Sequence, residues 1–147
     1  QGPLTKHQVL EKASEILAEK MFNSDVFESV SETKAFLEFK LGHYEREVFS
    51  ILLLDNRHRL ISFQKLFYGT IDSASIYPRE VVKAVLNANA AAVIFAHNHP
   101  SGNAEPSTAD KLITERLVDA LRLIDVKVLD HIVVGHNSVS FAERGLL

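Results

Sequence analysis

Three side chains in this sequence have the types and the spacing of a metal site. His97 and His99 directly follow the apolar run 90–96, and residues two apart in an extended chain project to the same side. Two neutral imidazoles can therefore bind one cation, and a catalytic zinc site needs a third protein ligand plus an open position. Asp110 fits as that ligand, because it lies three residues before Ile113 on the apolar side of a predicted helix. A carboxylate buried there needs a compensating partner, which a metal ion supplies.

The start of that helix offers a second explanation for the same residues. Ser107 and Asp110 have the Ser-x-x-acid spacing of a capping box, in which each side chain bonds to the other residue's backbone N–H group. This interpretation needs no metal. The two interpretations are compatible, because Ser107 could cap the helix and still direct its hydroxyl to a metal site.

Composition and charge define the class of protein. The 147 residues suit one domain, and 46% hydrophobic with 24% charged residues is ordinary for a globular protein. A net charge of −3 gives no electrostatic reason to expect a nucleic-acid surface. The sequence contains no cysteine, so disulfides and thiolate metal sites are excluded. The runs 51–54 and 90–96 are far shorter than the ~20 residues that span a bilayer, and no secretory signal is recognised. We therefore expect a cytoplasmic protein without a membrane partner.

The elements that must position these side chains alternate between strand and helix, which predicts an α/β fold. Ser31 is expected to cap the second helix and Gly42 to end it. His131 is interpreted as a hydrogen-bonded strand histidine rather than as a partner of a zinc ligand. The predicted helices are 4–21, 31–41, 78–89 and 107–124, and the predicted strands are 48–54, 60–68, 90–96, 126–134 and 139–142. The predicted buried face of the first helix contains Val9, Ala13, Ile16 and Leu17, and that of the third contains Val81, Val82, Val85 and Leu86.

A longer pattern around the candidate ligands resembles a known family. His97-x-His99, seven residues, Ser107, two residues and Asp110 match the JAMM motif of the JAB/MPN metalloprotease superfamily. The resemblance covers about residues 27–147, so we predict a RadC-like JAB/MPN domain there and an N-terminal helical extension over residues 1–26. The stretches that are similar to the bacterial RadC family in particular are 96–102, 106–110, 69–72, 77–81, 89–92, 129–131 and 141–147.

The resemblance implies a fold and a set of ligands. The fold is cytidine-deaminase-like, with three α-β-α layers and a mixed sheet. His97, His99 and Asp110 would bind one Zn²⁺ ion.

The resemblance also implies two catalytic roles. Ser107 would hydrogen-bond the developing oxyanion, and an upstream glutamate would be the general acid and base. The sequence offers Glu45 and Glu47, and we choose Glu47 because it stands directly ahead of the apolar run 48–54.

The sequence thus favours a zinc-dependent hydrolase that acts on a peptide or isopeptide bond of a peptide or protein substrate. Two other functions remain open. One is a DNA repair or processing factor, a role with which the RadC family has been labelled. The zinc nucleobase deaminases, however, need a Pro-Cys-x-x-Cys pattern, which a chain without cysteine lacks. The other is an interaction module that binds a metal without catalysis.

Overall fold

A mixed five-stranded sheet is the middle layer of the computed structural model, which describes residues 2–72 and 75–147. Its order is β2-β1-β3-β4-β5, and neighbouring strands are antiparallel except for the parallel pair β3 and β4. The strands are β1 (Val48–Leu54), β2 (Leu60–Tyr68), β3 (Ala92–Asn98), β4 (Lys127–Val134) and β5 (Val139–Ser140). The helices are α1 (Lys6–Asn23), α2 (Val30–Leu41), α3 (Pro78–Ala88) and α4 (Thr108–Arg122).

The sequence of β1 explains why the sheet is covered on both faces. Successive side chains of a strand point to opposite faces. Leu52 and Leu54 accordingly pack in the core beside α1 and α2, whereas Ile51 and Leu53 pack in the core beside α3 and α4. Ser50 is the polar residue of β1, and its hydroxyl donates to the Ala96 carbonyl at 2.9 Å. The predicted three-layer α/β architecture is confirmed.

Strand register brings several parts of the chain together at one edge of the sheet. His97, near the end of β3, is paired with Phe49 of β1 on one side and with Val133 of β4 on the other. The following loop turns back so that α4 begins beside the end of β3. Helix α4 is anchored by apolar residues spaced four apart, Ile113, Leu117 and Leu121, all fully buried. The first turn of α4 therefore faces the end of β3.

The predicted buried face of α1 was wrong except at Leu17, which packs against the core. Val9 and Ile16 are 52% and 59% exposed, whereas Ser14 and Met21 are buried. The buried face follows the positions 14, 17, 18 and 21, which have helical spacing. This face was not recognised in the sequence because Ser14 is polar and because apolar residues occur on both sides of α1.

Smaller corrections concern the ends and faces of other elements. Helix α2 begins at Val30 after Ser29, so Ser31 is not its cap. The buried Thr33 instead holds this end of α2 by donating from its hydroxyl to the Val26 carbonyl at 3.1 Å. On α3, Leu86 is 60% exposed and Ala84 takes its place on the buried face. Within residues 2–72 and 75–147, none of the helices combines the length and apolarity that crossing a bilayer requires.

Candidate metal centre

Two imidazole nitrogens and the two oxygens of one carboxylate converge at the end of β3. His97 Nε2 lies 3.1 Å from His99 Nε2 and 3.1 Å from Asp110 Oδ1. His99 Nε2 lies 3.0 Å from Asp110 Oδ2. Zinc bonds of about 2.0–2.1 Å in a tetrahedron separate neighbouring ligand atoms by about 3.3 Å. The observed separations are close to that value, so these three residues fit a small divalent cation.

Backbone contacts orient His99 toward the other two candidate ligands. Its Nδ1 lies 2.8 Å from the Asn103 carbonyl, which can only accept, so Nδ1 donates and Nε2 faces the site. A turn closed by a bond from Gly102 N to the His99 carbonyl shapes this loop. Gly102 has φ +89, and a Cβ there would overlap the ring of His136. Only glycine fits this point of the loop without displacing His136.

His131 contacts a candidate ligand, an alternative that the sequence interpretation considered and did not prefer. Its Nε2 lies 2.8 Å from His97 Nδ1, and both rings are fully buried. Its Nδ1 lies 2.6 Å from the hydroxyl of Thr114, one turn after Asp110 in α4. Burial and the nearby His97 hold the pKa of His131 well below the usual range. His131 is therefore an uncharged link between β3 and α4.

Asp110 closes a cap and faces the histidines at the same time. Ser107 Oγ accepts from the Asp110 N–H at 3.0 Å, and Asp110 Oδ2 accepts from the Ser107 N–H at 2.8 Å. The capping box expected from the spacing is therefore present. Asp110 is only 1% exposed, and it still lies at hydrogen-bonding distance from His97 and His99.

Asp110 and His99 shift each other's pKa. Burial raises the pKa of Asp110, but the hydrogen bonds from His97 and His99 outweigh burial and hold that pKa well below its usual range. The hydrogen bond to Asp110 in turn raises the pKa of His99. Asp110 is thus an anion, which can attract either a proton on His99 or a metal ion.

Glu47 is a second acidic residue, besides Asp110, that the fold brings beside the two histidines. Glu47, His97 and His99 each offer a ligand atom within 4.8 Å of the others, so this group could hold a metal ion. Glu47 Oε2 accepts from the Ile71 N–H at 2.8 Å, which leaves its other carboxylate oxygen outside that bond. Glu45, the alternative that the sequence left open, is exposed.

Asn98 holds the chain segment that carries Glu47, and sequence reasoning assigned it no role. Its Oδ1 accepts from the Val48 N–H at 2.7 Å, and its Nδ2 donates to the Arg46 carbonyl at 3.0 Å. These bonds tie the residues on either side of Glu47 to the end of β3. The signal was present in the sequence, since an asparagine between two strand histidines must point to the opposite face.

Comparison with known proteins gives one family. The model of the RadC-like JAB domain matches residues 27–146 of the chain. Two UPF0758 proteins of Vibrio cholerae serotype O1 are 60% and 61% identical to it over 142 residues, which cover 97% of this chain and 90% of each relative. A UPF0758 protein of Thioalkalivibrio sulfidiphilus is 58% identical over 139 residues, but this chain spans only 62% of its length.

Proposed function

This chain belongs to the RadC family of JAB domains, and we propose that it is a metal-dependent hydrolase that binds one zinc ion through His97, His99 and Asp110. The convergence of two imidazole nitrogens and one carboxylate within 3.1 Å carries this proposal. Three protein ligands leave a fourth position open, as catalytic zinc sites require. The JAB domains include metalloproteases, which makes an amide the expected target.

A bound zinc ion would supply Lewis acidity, both making a water molecule acidic enough to ionise near neutral pH and polarising a carbonyl group. Glu47 would accept the proton of the attacking water and later donate it to the leaving amine. Its anchor to Ile71 and the support of Asn98 would keep the carboxylate at a fixed distance from the histidines. Glu47 would then move protons, while His97, His99 and Asp110 would hold the ion.

Ser107 would stabilise the oxyanion that forms when the carbonyl is attacked. Its Oγ uses a lone pair to cap α4, and accepting that bond leaves the hydroxyl proton available to donate. The same side chain can thus serve the helix and the reaction. We propose a peptide or isopeptide bond of a peptide or protein as the substrate.

The first test is elemental analysis of the purified protein and of His99→Ala. We expect about one equivalent of zinc per chain, as the single three-ligand site implies, and its loss in the variant. His58→Ala is a matched control, because His58 lies away from the candidate ligands, with its Nδ1 3.4 Å from Asp25 Oδ2. Equal zinc in His99→Ala and the unmodified protein would reject the site.

The second test separates hydrolysis from metal binding. Glu47→Gln should retain zinc and lose cleavage of a peptide library, because the amide cannot accept a proton. The exposed Glu45→Gln is its control and should keep both properties. Cleavage by Glu47→Gln at the original rate would exclude Glu47 as the base. Zinc binding without cleavage of any library member would instead favour an interaction module.

A further inference from the structure

We propose that Thr114 and His131 are positioning residues, which fix a proton on His97 Nδ1 and so present His97 Nε2 to the cation position. The inference rests on the proposed metal site, because only a bare Nε2 can bind a cation. Thr114 lies on α4 and His131 on β4. Neither residue belongs to the motif that carries the three candidate ligands.

The hydroxyl of Thr114 sets the direction of the chain of bonds. Its Oγ1 lies 2.7 Å from the Asp110 carbonyl and 2.6 Å from His131 Nδ1. A carbonyl oxygen can only accept, so the one hydroxyl proton goes to Asp110. The second contact is a hydrogen bond only if His131 Nδ1 donates to the hydroxyl oxygen. Thr114 therefore requires a proton on His131 Nδ1.

His131 passes this constraint to His97. A neutral imidazole has one proton, so a proton on His131 Nδ1 leaves His131 Nε2 as an acceptor. That atom lies 2.8 Å from His97 Nδ1, which must then be the donor. Phe141 stacks on the His131 ring at 4.7 Å, and Phe49 meets its edge at 5.7 Å. These apolar rings exclude water that would offer the histidine other partners.

The result at the site is that His97 Nε2 is the ring nitrogen left to bind a cation, which would take the place of its hydrogen bond to the Asp110 carboxylate. The chain of bonds begins at the backbone carbonyl of Asp110, and it ends on the ring that faces the Asp110 carboxylate at 3.1 Å. One turn of α4 therefore provides a ligand and also sets the tautomer of the opposing ligand. Conserving the shape of Thr114 without its hydroxyl should consequently weaken metal binding.

Zinc affinity, measured by competition with a chromophoric chelator, tests this inference directly. Thr114→Val keeps the side-chain shape and removes the hydroxyl, so we expect zinc to bind about 10- to 100-fold more weakly, as for the loss of other groups that orient a ligand. Thr114→Ser should restore an affinity close to that of the unmodified protein. A general loss of packing would not be rescued by serine, which lacks the methyl group.

Thr33→Val is the matched control. Thr33 is also a buried threonine, and its hydroxyl donates to the Val26 carbonyl in the core beside α2. We expect this variant to lose stability with no change in zinc affinity. Unchanged affinity in a folded Thr114→Val would overturn the positioning role, while absence of zinc from the unmodified protein would reject the metal site itself.

Nitrogen-15 NMR of the histidine rings gives a reading that needs neither the variants nor zinc. In the unmodified metal-free protein, His131 should carry its proton on Nδ1, and the coupling pattern of the ring distinguishes the two tautomers. A proton on His131 Nε2 would make His131 the donor to His97 Nδ1 and refute the proposal. This measurement decides the question even if Thr114→Val does not fold.

Discussion

Two helices of this protein begin with the same reciprocal cap, yet only one of these caps lies at the candidate metal centre. At the start of α1, Thr5 Oγ1 accepts from the Gln8 N–H at 3.1 Å, and Gln8 Oε1 accepts from the Thr5 N–H at 2.8 Å. At the start of α4, Ser107 and Asp110 form the corresponding bonds at 3.0 and 2.8 Å. The first pair is exposed, whereas Asp110 is buried beside two histidines.

The comparison separates what a local motif specifies from what its surroundings add. Either cap satisfies backbone N–H groups at the start of a helix. The closing side chain differs, since Gln8 is neutral and exposed, while Asp110 is charged and buried. The start of a helix can offer a metal ligand when the fold places other metal-binding atoms opposite the side chain that completes the cap.

The largest expected effect comes from removing the charge of the buried cap. Asp110→Asn retains an oxygen that can accept from the Ser107 N–H, so α4 should still form. Zinc affinity should fall more than about 100-fold, beyond the loss caused by an outer partner, because an amide is a poorer zinc ligand than a carboxylate. Gln8→Ala in the exposed cap should leave the affinity unchanged. If Asp110→Asn and Gln8→Ala compete with the chelator for zinc equally well, Asp110 acts only as a helix cap.

The next effect concerns the hydroxyl of Ser107. Ser107→Ala removes the proposed oxyanion donor, so turnover should fall about 100- to 1,000-fold. Zinc content should stay at the level of the unmodified protein, because Ser107 is not one of the three ligands. Rates on a cleaved library peptide check this, and Thr5→Ala is the comparison. A turnover loss of similar size in Thr5→Ala would show that the effect arises from helix stability.

A smaller effect is expected from pH, and it again distinguishes the two caps. The Asp110 hydrogen bond raises the pKa of His99 above 6.5, and a protonated His99 cannot bind a cation. Below that raised pKa, zinc affinity should fall about tenfold for each pH unit, since one proton must leave. The Thr5–Gln8 cap contains no titratable side chain. Chelator competition between pH 5 and 8 tests this, and a flat profile would contradict it.

The smallest effect is expected at the exposed cap itself. Thr5→Ala should destabilise the first turn of α1 by about 1 kcal/mol, the usual contribution of a capping hydroxyl. Hydrogen exchange of the α1 amides should accelerate, while zinc affinity and turnover stay constant. A change in zinc affinity would instead reveal coupling between α1 and the end of β3.

Local sequence patterns were sufficient to predict many of the strands and helices. The apolar run of β1, the returning strand β2 and the capped start of α4 follow from residue type and period, and the structure has them at the predicted residues. The same reasoning mislocated the cap of α2 and the buried face of α1. Both errors arose where a serine was judged by local preference and tertiary packing decided otherwise.

The candidate ligands could be recognised from the sequence because they share one short spacing. The contacts of His131 with Thr114 and His97 could not be predicted, because they join residues 17 and 34 positions apart, which only strand and helix packing brings together. His131 had been interpreted as an ordinary strand histidine for that reason. Asn98 was overlooked although it stands between two candidate ligands, because its partners are the backbone atoms of Val48 and Arg46, at the start of β1.

Because successive side chains at the end of β3 point to opposite faces, cation binding at this centre would depend on how β3 is aligned with its neighbours. His97 turns to one face of the sheet and Asn98 to the other, so sliding β3 by a single residue would exchange their environments. A cation would then bind only chains whose strands are correctly aligned. At a zinc concentration 100 times the dissociation constant, binding would favour that alignment by about 2.7 kcal/mol. The metal would thus select one folded form over its misaligned competitors.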